Sequence, residues 1–144
     1  MWFAFAILAS FFWGITYVFE EQVYKHISVI SSLAVSFLTA GIVFGLVALI
    51  TGVWKKDLVT LTSSKESLML LALVTITTII AELGIGFSIN DKHATLAGLI
   101  EISYPLFIGL FSFIFFRENN LNPGTIFGGL LIFLGVASIY FFNR

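Results

Sequence analysis

The sequence predicts an all-α integral membrane protein with five transmembrane helices, and three observations carry that prediction. Of the 144 residues, 59 % are hydrophobic and only 10 % are charged. A soluble domain carries roughly 25 % charged residues, so this chain could not cover a globular surface with polar groups. The mean hydropathy is +1.07. The apolar residues also gather into five runs, each close to the roughly 20 residues a helix needs to cross a bilayer. The runs do not alternate, and they far exceed the roughly ten residues of a membrane β-strand.

The first run, 2–19, opens "MWFAFAILASFFWG". No basic segment precedes it and no small-residue cleavage site follows it, so it reads as a membrane span rather than a cleaved signal. The second, 28–53, is the longest and accommodates tilt; its opening "SSLAVS" also suits the interface. The third and fourth, 68–89 and 94–116, form a hairpin around "NDKH". The fifth, 125–142, follows the stop-and-restart signal Asn122-Pro123 in "RENNLNPG". Short connections make consecutive helices antiparallel neighbours. Only "WKKDLVTLTSSKES", between the second and third spans, is longer, with room for an interfacial turn. We therefore expect a single five-helix transmembrane domain over 1–144, without an internal repeat.

Five spans put the two ends of the chain on opposite sides of the membrane. Basic residues count four on the N-terminal side (Lys55, Lys56, Lys65, Arg117) and three on the other (Lys25, Lys92, Arg144). The positive-inside rule favours a cytoplasmic N-terminus in a multi-pass protein of the cell membrane. So small a bias is also what a chain inserted in both orientations shows. Trp2 and Trp54 at one boundary, with Tyr24 and Tyr140 near the other, read as an aromatic belt.

Several function classes are excluded or unsupported. There is no cysteine, hence no disulfide, thiolate chemistry or Cys-bound metal. His26 and His93 fall in connections, and no metal site or cofactor is expected. No basic patch suits nucleic acid, and no nucleophile–base pair or phosphate loop suggests an enzyme.

Two acidic residues lie inside spans: Glu82 in "IIAELGIGF" and Glu101 in "LIEISYPLF". A charge near mid-bilayer costs at least about 2.5–3.5 kcal/mol on insertion scales, so such residues face a bundle interior or a wet cavity. Glu82 stands seven residues before Ile89 and Glu101 seven after Ala94. At 1.5 Å per residue both lie roughly 10 Å below the same membrane face. In the fourth run Ala94, Gly98, Glu101, Pro105, Gly109 and Ser112 recur at steps of three or four, as do Thr75, Thr78, Glu82 and Gly86 in the third. Ala6, Ser10, Trp13, Tyr17 and Glu20 or Glu21 form a similar stripe in the first. Stripes of this kind line a shared interior. Two carboxylates that met there could not both ionise cheaply, which suits either a site exchanging protons for a cationic solute or hydrogen-bonded helix packing. Pro105 leaves the Glu101 carbonyl without its helical donor, so carboxylate and bend form one feature. Tyr104 and Trp13 offer aromatic faces to a cation, and Tyr17 lies on the same stripe as Trp13. Glu20 and Glu21 are expected at the cavity mouth. Gly41 with Gly45, and Gly124 with Gly128 and Gly135, have the spacing that lets helices approach closely, within the chain or between copies.

The stretch "ISYPLFIGLFSFIFFRENNLNPGTIFGGLLIFLGVASIYF" (102–141) resembles the end of an EamA-type repeat of the drug/metabolite transporter superfamily. The matches are Pro105 in the fourth helix, Glu118 after it, and a fifth helix with glycines from Gly128 to Gly135. At the other end "AILASFFWGITYVF" is similar to the family's first-helix signature, through Trp13 and Gly14. The resemblance implies a transporter. Family members commonly have two five-helix repeats of inverted topology with a substrate cavity between them near the midplane. A chain of one repeat would then work as a dimer, with copies inserted in opposite orientations to rebuild that arrangement. Two departures stand out. The basic residue many members carry early in the second helix is missing from "SSLAVSFLTAG", and Glu82 and Glu101 lie outside the general family signature. The expected function is therefore alternating-access transport of a small metabolite or organic cation, possible proton coupling included, with the lipid bilayer, a small-molecule solute and a second copy as partners. The alternative is a non-transporting membrane subunit or lipid-handling accessory of a larger complex.

Overall fold

A computed structural model describes residues 1–118 and 122–143. Its helices are α1 (Trp2–Val23), α2 (Val29–Thr51), α3 (Val53–Ser63), α4 (Lys65–Asp91), α5 (Ala94–Glu101), α6 (Tyr104–Phe116) and α7 (Pro123–Asn143). Among the described residues there is no strand, and five stretches are long and apolar enough to cross a membrane, 94–116 counting as one. The middle of the "RENNLNPG" connection and Arg144 lie outside the described residues.

Local chemistry sets the helix ends. The Ser28 hydroxyl accepts from the Ser31 N–H and starts α2, and Ser64 does the same for α4 through Ser67. Gly52 (φ 74°) joins α2 to α3 in the left-handed conformation open to glycine. Asn122 Oδ1 accepts from the Thr125 N–H at 2.9 Å and opens α7. At the end of α6 the N–H groups of Arg117 and Glu118 return to the carbonyls of Phe113 and Ser112, which satisfies carbonyls the helix leaves unpaired.

Three features differ from the sequence expectation. First, α1 runs a full turn beyond residue 19, so Glu20 and Glu21 belong to the helix. Second, the long connection is the eleven-residue helix α3 rather than an isolated turn. Its Thr60, Thr62 and Ser63 hydroxyls bond back to the carbonyls of Lys56, Leu58 and Val59. Third, the fourth span breaks. α5 ends at Glu101, Ile102 and Ser103 make a turn, and Pro105 sits in the first turn of α6. Proline is tolerated there because first-turn N–H groups have no helical partner in any case.

The packed core lies toward one membrane face. Tyr17, Tyr24, Val29, Leu33, Ile89, Ala94 and Ala97 are buried and form one cluster, where the α1–α2 and α4–α5 turns bring four helices together. Small residues permit this. A Cβ on Gly86 would stand 2.7 Å from Val29 Cγ1, and one on Gly98 would stand 3.3 Å from Tyr17 Cδ2. Toward the other face α1, α4 and α6 expose Leu, Ile and Phe side chains, the ordinary state of a helix against lipid. Thr75 and Thr78 lie in that exposed part of α4, so the lower half of the predicted α4 stripe does not face the chain's own interior. α7 packs against α5, whereas α6 makes no extensive contact with any helix. Its Leu106 approaches Gly129, where a Cβ would come within 2.7 Å.

The glycines predicted for helix packing are placed differently from those in contact. Gly41, Gly45, Gly128 and Gly135 meet nothing within 4 Å of an added Cβ, and Gly124 meets only its neighbour Asn122. Among the glycines whose surroundings are described, close approach within the chain occurs at Gly86, Gly98 and Gly129 instead.

Candidate functional site

Helix α5 rests on α1 through two polar contacts, one turn apart on α1 and about two turns apart on α5. The Tyr17 hydroxyl donates to Glu101 Oε2 at 2.5 Å, so the carboxylate at the end of the broken helix is held by a phenol from the first. Nearer the membrane face, Glu21 Oε2 accepts from the Ala94 N–H at 2.7 Å. That bond satisfies one of the unpaired donors at the start of α5, and a negative charge is favoured at a helix N-terminus. His93 Nδ1 accepts from the Leu96 N–H at 3.3 Å and completes the cap. Glu21 is thus a helix-capping group and does not line the cavity described next. Losing such a cap costs about 0.5–2 kcal/mol. Glu21→Ala should accordingly lower the thermal unfolding midpoint of the purified protein, and Glu21→Gln, which keeps an acceptor oxygen, should lower it less. Equal midpoints for all three proteins would contradict the assignment.

Between α1, α4, α5 and the start of α6 lies a cavity of about 950 Å³, open to one side. Ser10, Trp13, Tyr17, Ser88, Glu101 and Tyr104 contribute to its wall. The Trp13 and Tyr17 rings lie 5.7 Å apart between centroids. Trp13 is half exposed and Tyr104 more so; both are free to meet a guest. The helix break brings Glu101 and Tyr104 to the same wall, one ending α5 and the other opening α6. Pro105 itself is exposed on α6 and does not line the cavity.

Glu82 is half-buried and does not line the cavity either. It stands on α4 within electrostatic reach of both Glu20 and Glu101. The structure therefore brings Glu82 and Glu101 into one neighbourhood and adds Glu20, which the sequence reading had placed at the cavity mouth. Tyr24 is a further correction. Expected in an aromatic belt, it is 9 % exposed and packs on Val29 and Gly86. Burial, with Glu20 and Glu82 nearby, pushes its phenol up to about 12. The signal was the spacing Tyr17, Glu20, Tyr24, which keeps one face of α1 through its last turn and beyond. Among the described residues no cluster of three or more His, Asp or Glu could hold a metal ion.

What this arrangement can do chemically follows from its parts: a carboxylate held by a phenol, aromatic faces beside it, an apolar wall, and an opening large enough for a small organic molecule. Such a wall suits a guest with one positive centre and an apolar body.

Searches of curated proteins and of solved structures find no match to this chain. The sequence pattern of the EamA-like transporter family matches residues 1–141. With five membrane-spanning segments in that fold and a match over almost its whole length, the chain belongs to the EamA-like transporter family, membrane transporters of the drug/metabolite kind.

Proposed function

We propose that the protein carries a small metabolite or organic cation across the cell membrane by alternating access, as an antiparallel homodimer, in exchange for protons. The observation that carries this reading is Glu101. It is a carboxylate at a helix break, held by Tyr17, in a cavity walled by Trp13 and Tyr104. Binding there involves no chemical change of the solute. The cavity is open on one side, α6 has no extensive partner among the described residues, and Gly41 and Gly45 on α2 and Gly128 and Gly135 on α7 meet nothing within 4 Å of an added Cβ. These features support a second copy that completes the enclosure. Insertion in both orientations is supported by the four-to-three distribution of basic residues. Reporters fused to each end of the chain should then appear on both sides of the membrane.

The test of transport uses proteoliposomes with an imposed pH gradient and a pH dye inside. Adding tetraethylammonium or choline outside should drive proton exit through the native protein. The double variant Glu82→Gln, Glu101→Gln should abolish it. Unchanged exchange in that variant would sink the proposal.

The exposed apolar side chains of α6 favour one second reading, a non-transporting subunit docked on a larger membrane protein. Crosslinking in membranes separates the two: an antiparallel self-dimer supports transport, and a stoichiometric complex with another chain supports the accessory role.

A further inference from the structure

Among the described residues, two buried side-chain oxygens have no hydrogen-bond partner: Oε2 of Glu20 and the hydroxyl of Tyr24. They belong to one small region. Tyr24 is 9 % exposed, and its hydroxyl lies 3.2 Å from where a Cβ on Gly86 would stand, one turn of α4 beyond Glu82. Glu20 and Glu82 are within electrostatic reach of that phenol and of each other. A buried polar group without a partner costs about 1–3 kcal/mol, so two such groups beside the Glu82 carboxyl call for a ligand.

The elements around this space offer no cation. α1 brings Tyr17 and Glu20, with Glu21 engaged by Ala94. α2 brings the apolar Val29 and Leu33. α4 brings Glu82 and α5 brings Glu101. Lys25 bonds Gln22 at the surface, and Lys92 and His93 are exposed. The space is also distinct from the solute cavity, whose wall includes Tyr17 and Glu101 but not Glu20, Tyr24 or Glu82. Tyr17 belongs to both: its ring lines the cavity, and its phenol lies within electrostatic reach of Glu20 and Glu82.

We propose that Glu20, Glu82 and the Tyr24 hydroxyl form a proton site, outside the solute cavity, that is coupled electrostatically to solute bound at Glu101. This rests on the transport reading above and adds that coupling ion and solute occupy different carboxylates. The ligand is a proton rather than a metal ion. Hard cations such as Ca²⁺ or Mg²⁺ take about six oxygens or more. Among the described residues no group of three or more His, Asp or Glu is placed to hold a metal ion, and α1 and α4 run unbroken past Glu20 and Glu82, so their carbonyls are already engaged. One proton shared by two carboxyl groups removes their repulsion, and Tyr24 can donate to the oxygen that remains charged. A cationic solute arriving at Glu101 stabilises the ionised form of Glu82 through space and releases that proton to water. When the solute departs, the proton returns. Exchange then requires no competition for a single carboxylate.

The test reads the proton itself, by infrared spectroscopy of the full chain in lipid. The native protein should show a protonated-carboxyl band at neutral pH that shifts in D₂O. Glu20→Gln and Glu82→Gln should each remove it, because the remaining carboxyl loses its like-charged neighbour. Glu101→Gln should leave it in place. Tyr24→Phe, which deletes only a hydroxyl, should move its frequency while circular dichroism stays native. A band that survives both Glu20→Gln and Glu82→Gln would overturn the proposal. So would a band lost only in Glu101→Gln, or one that sodium chloride abolishes at fixed pH with no organic cation present. Failed proton exchange in proteoliposomes with this band intact would count against the transport reading alone.

Discussion

Replacing Gly86 with leucine should separate α2 from α4 and destabilise the protein far more than the same replacement at Gly41. Even the first added carbon would stand 2.7 Å from Val29 Cγ1 and 3.2 Å from the Tyr24 hydroxyl. Neither neighbour has room to retreat. Val29 is 4 % exposed at the start of α2, and Tyr24 is packed in the same cluster with Leu33 and Ile89. Overpacking of this sort costs typically about 1–3 kcal/mol, and leucine adds three carbons beyond the one that already collides. The unfolding midpoint of the purified protein should fall clearly, and Tyr24 should become accessible to solvent. Gly41→Leu is the matched control, since nothing lies within 4 Å of a Cβ there and leucine is the better helix former. A larger loss at Gly41 than at Gly86 in monomeric protein would contradict this packing.

That contrast shows what spacing can and cannot reveal. Gly41-x-x-x-Gly45 and Gly124-x-x-x-Gly128 announce faces on which another helix can come close. They do not say whether that helix belongs to the same chain. The glycines in contact, Gly86 and Gly98, stand out less by spacing than by what faces them, Val29 in one case and Tyr17 in the other. Those partners are distant in sequence, so only the folded chain identifies them.

The five spans were legible because apolar run length decides them, and the caps at Ser28, Ser64 and Asn122 were chemically ordinary. Helix α3 was less legible. "VWKKDLVTLTS" is rich in Lys, Thr and Ser, which suits a loop as well as a helix, and its hydroxyls bond its own carbonyls rather than leading the chain away. The site divides in the same manner. Glu101 and Tyr17 could be placed on interior stripes from periodicity, yet periodicity does not pair the phenol on α1 with the carboxylate on α5. Equal depth suggested that Glu82 and Glu101 are neighbours. Depth alone could not show that Glu20 joins them, or that Glu101 lines the cavity while Glu82 does not. Tyr24 lies just past the end of α1, where an interfacial aromatic is common; tertiary packing on Gly86 overrides that preference.

The Pro105→Ala variant should join α5 and α6 into one continuous helix, with greater stability and lost transport. Proline lacks an N–H, so the Glu101 carbonyl cannot receive the bond that a helix would give it, and the ring crowds the preceding turn. In the native chain the strain is relieved by breaking the helix: the Ser103 N–H bonds the Ile100 carbonyl, the Leu106 N–H bonds the Ser103 carbonyl, and Pro105 starts the new helix. Alanine restores the missing donor and favours the helical path through residues 102 and 103. Proline inside a helix costs about 3 kcal/mol relative to alanine. Because the break already relieves part of that cost, the gain in stability should be smaller, roughly 1 kcal/mol. The functional loss should be larger. Continuing α5 as a straight helix turns Tyr104 away from the wall it shares with Glu101, and it removes the hinge by which α6, without extensive packing of its own, can move relative to α5. Hydrogen exchange should show new protection of the residue 105 amide and slower exchange across residues 102–106, while solute-driven proton exit falls by an order of magnitude or more (about 1.4 kcal/mol per tenfold). If exchange across 102–106 stays as fast as in the native protein, the proline is not what breaks the helix. If exchange slows and transport persists, the break is structural and alternating access does not pass through it.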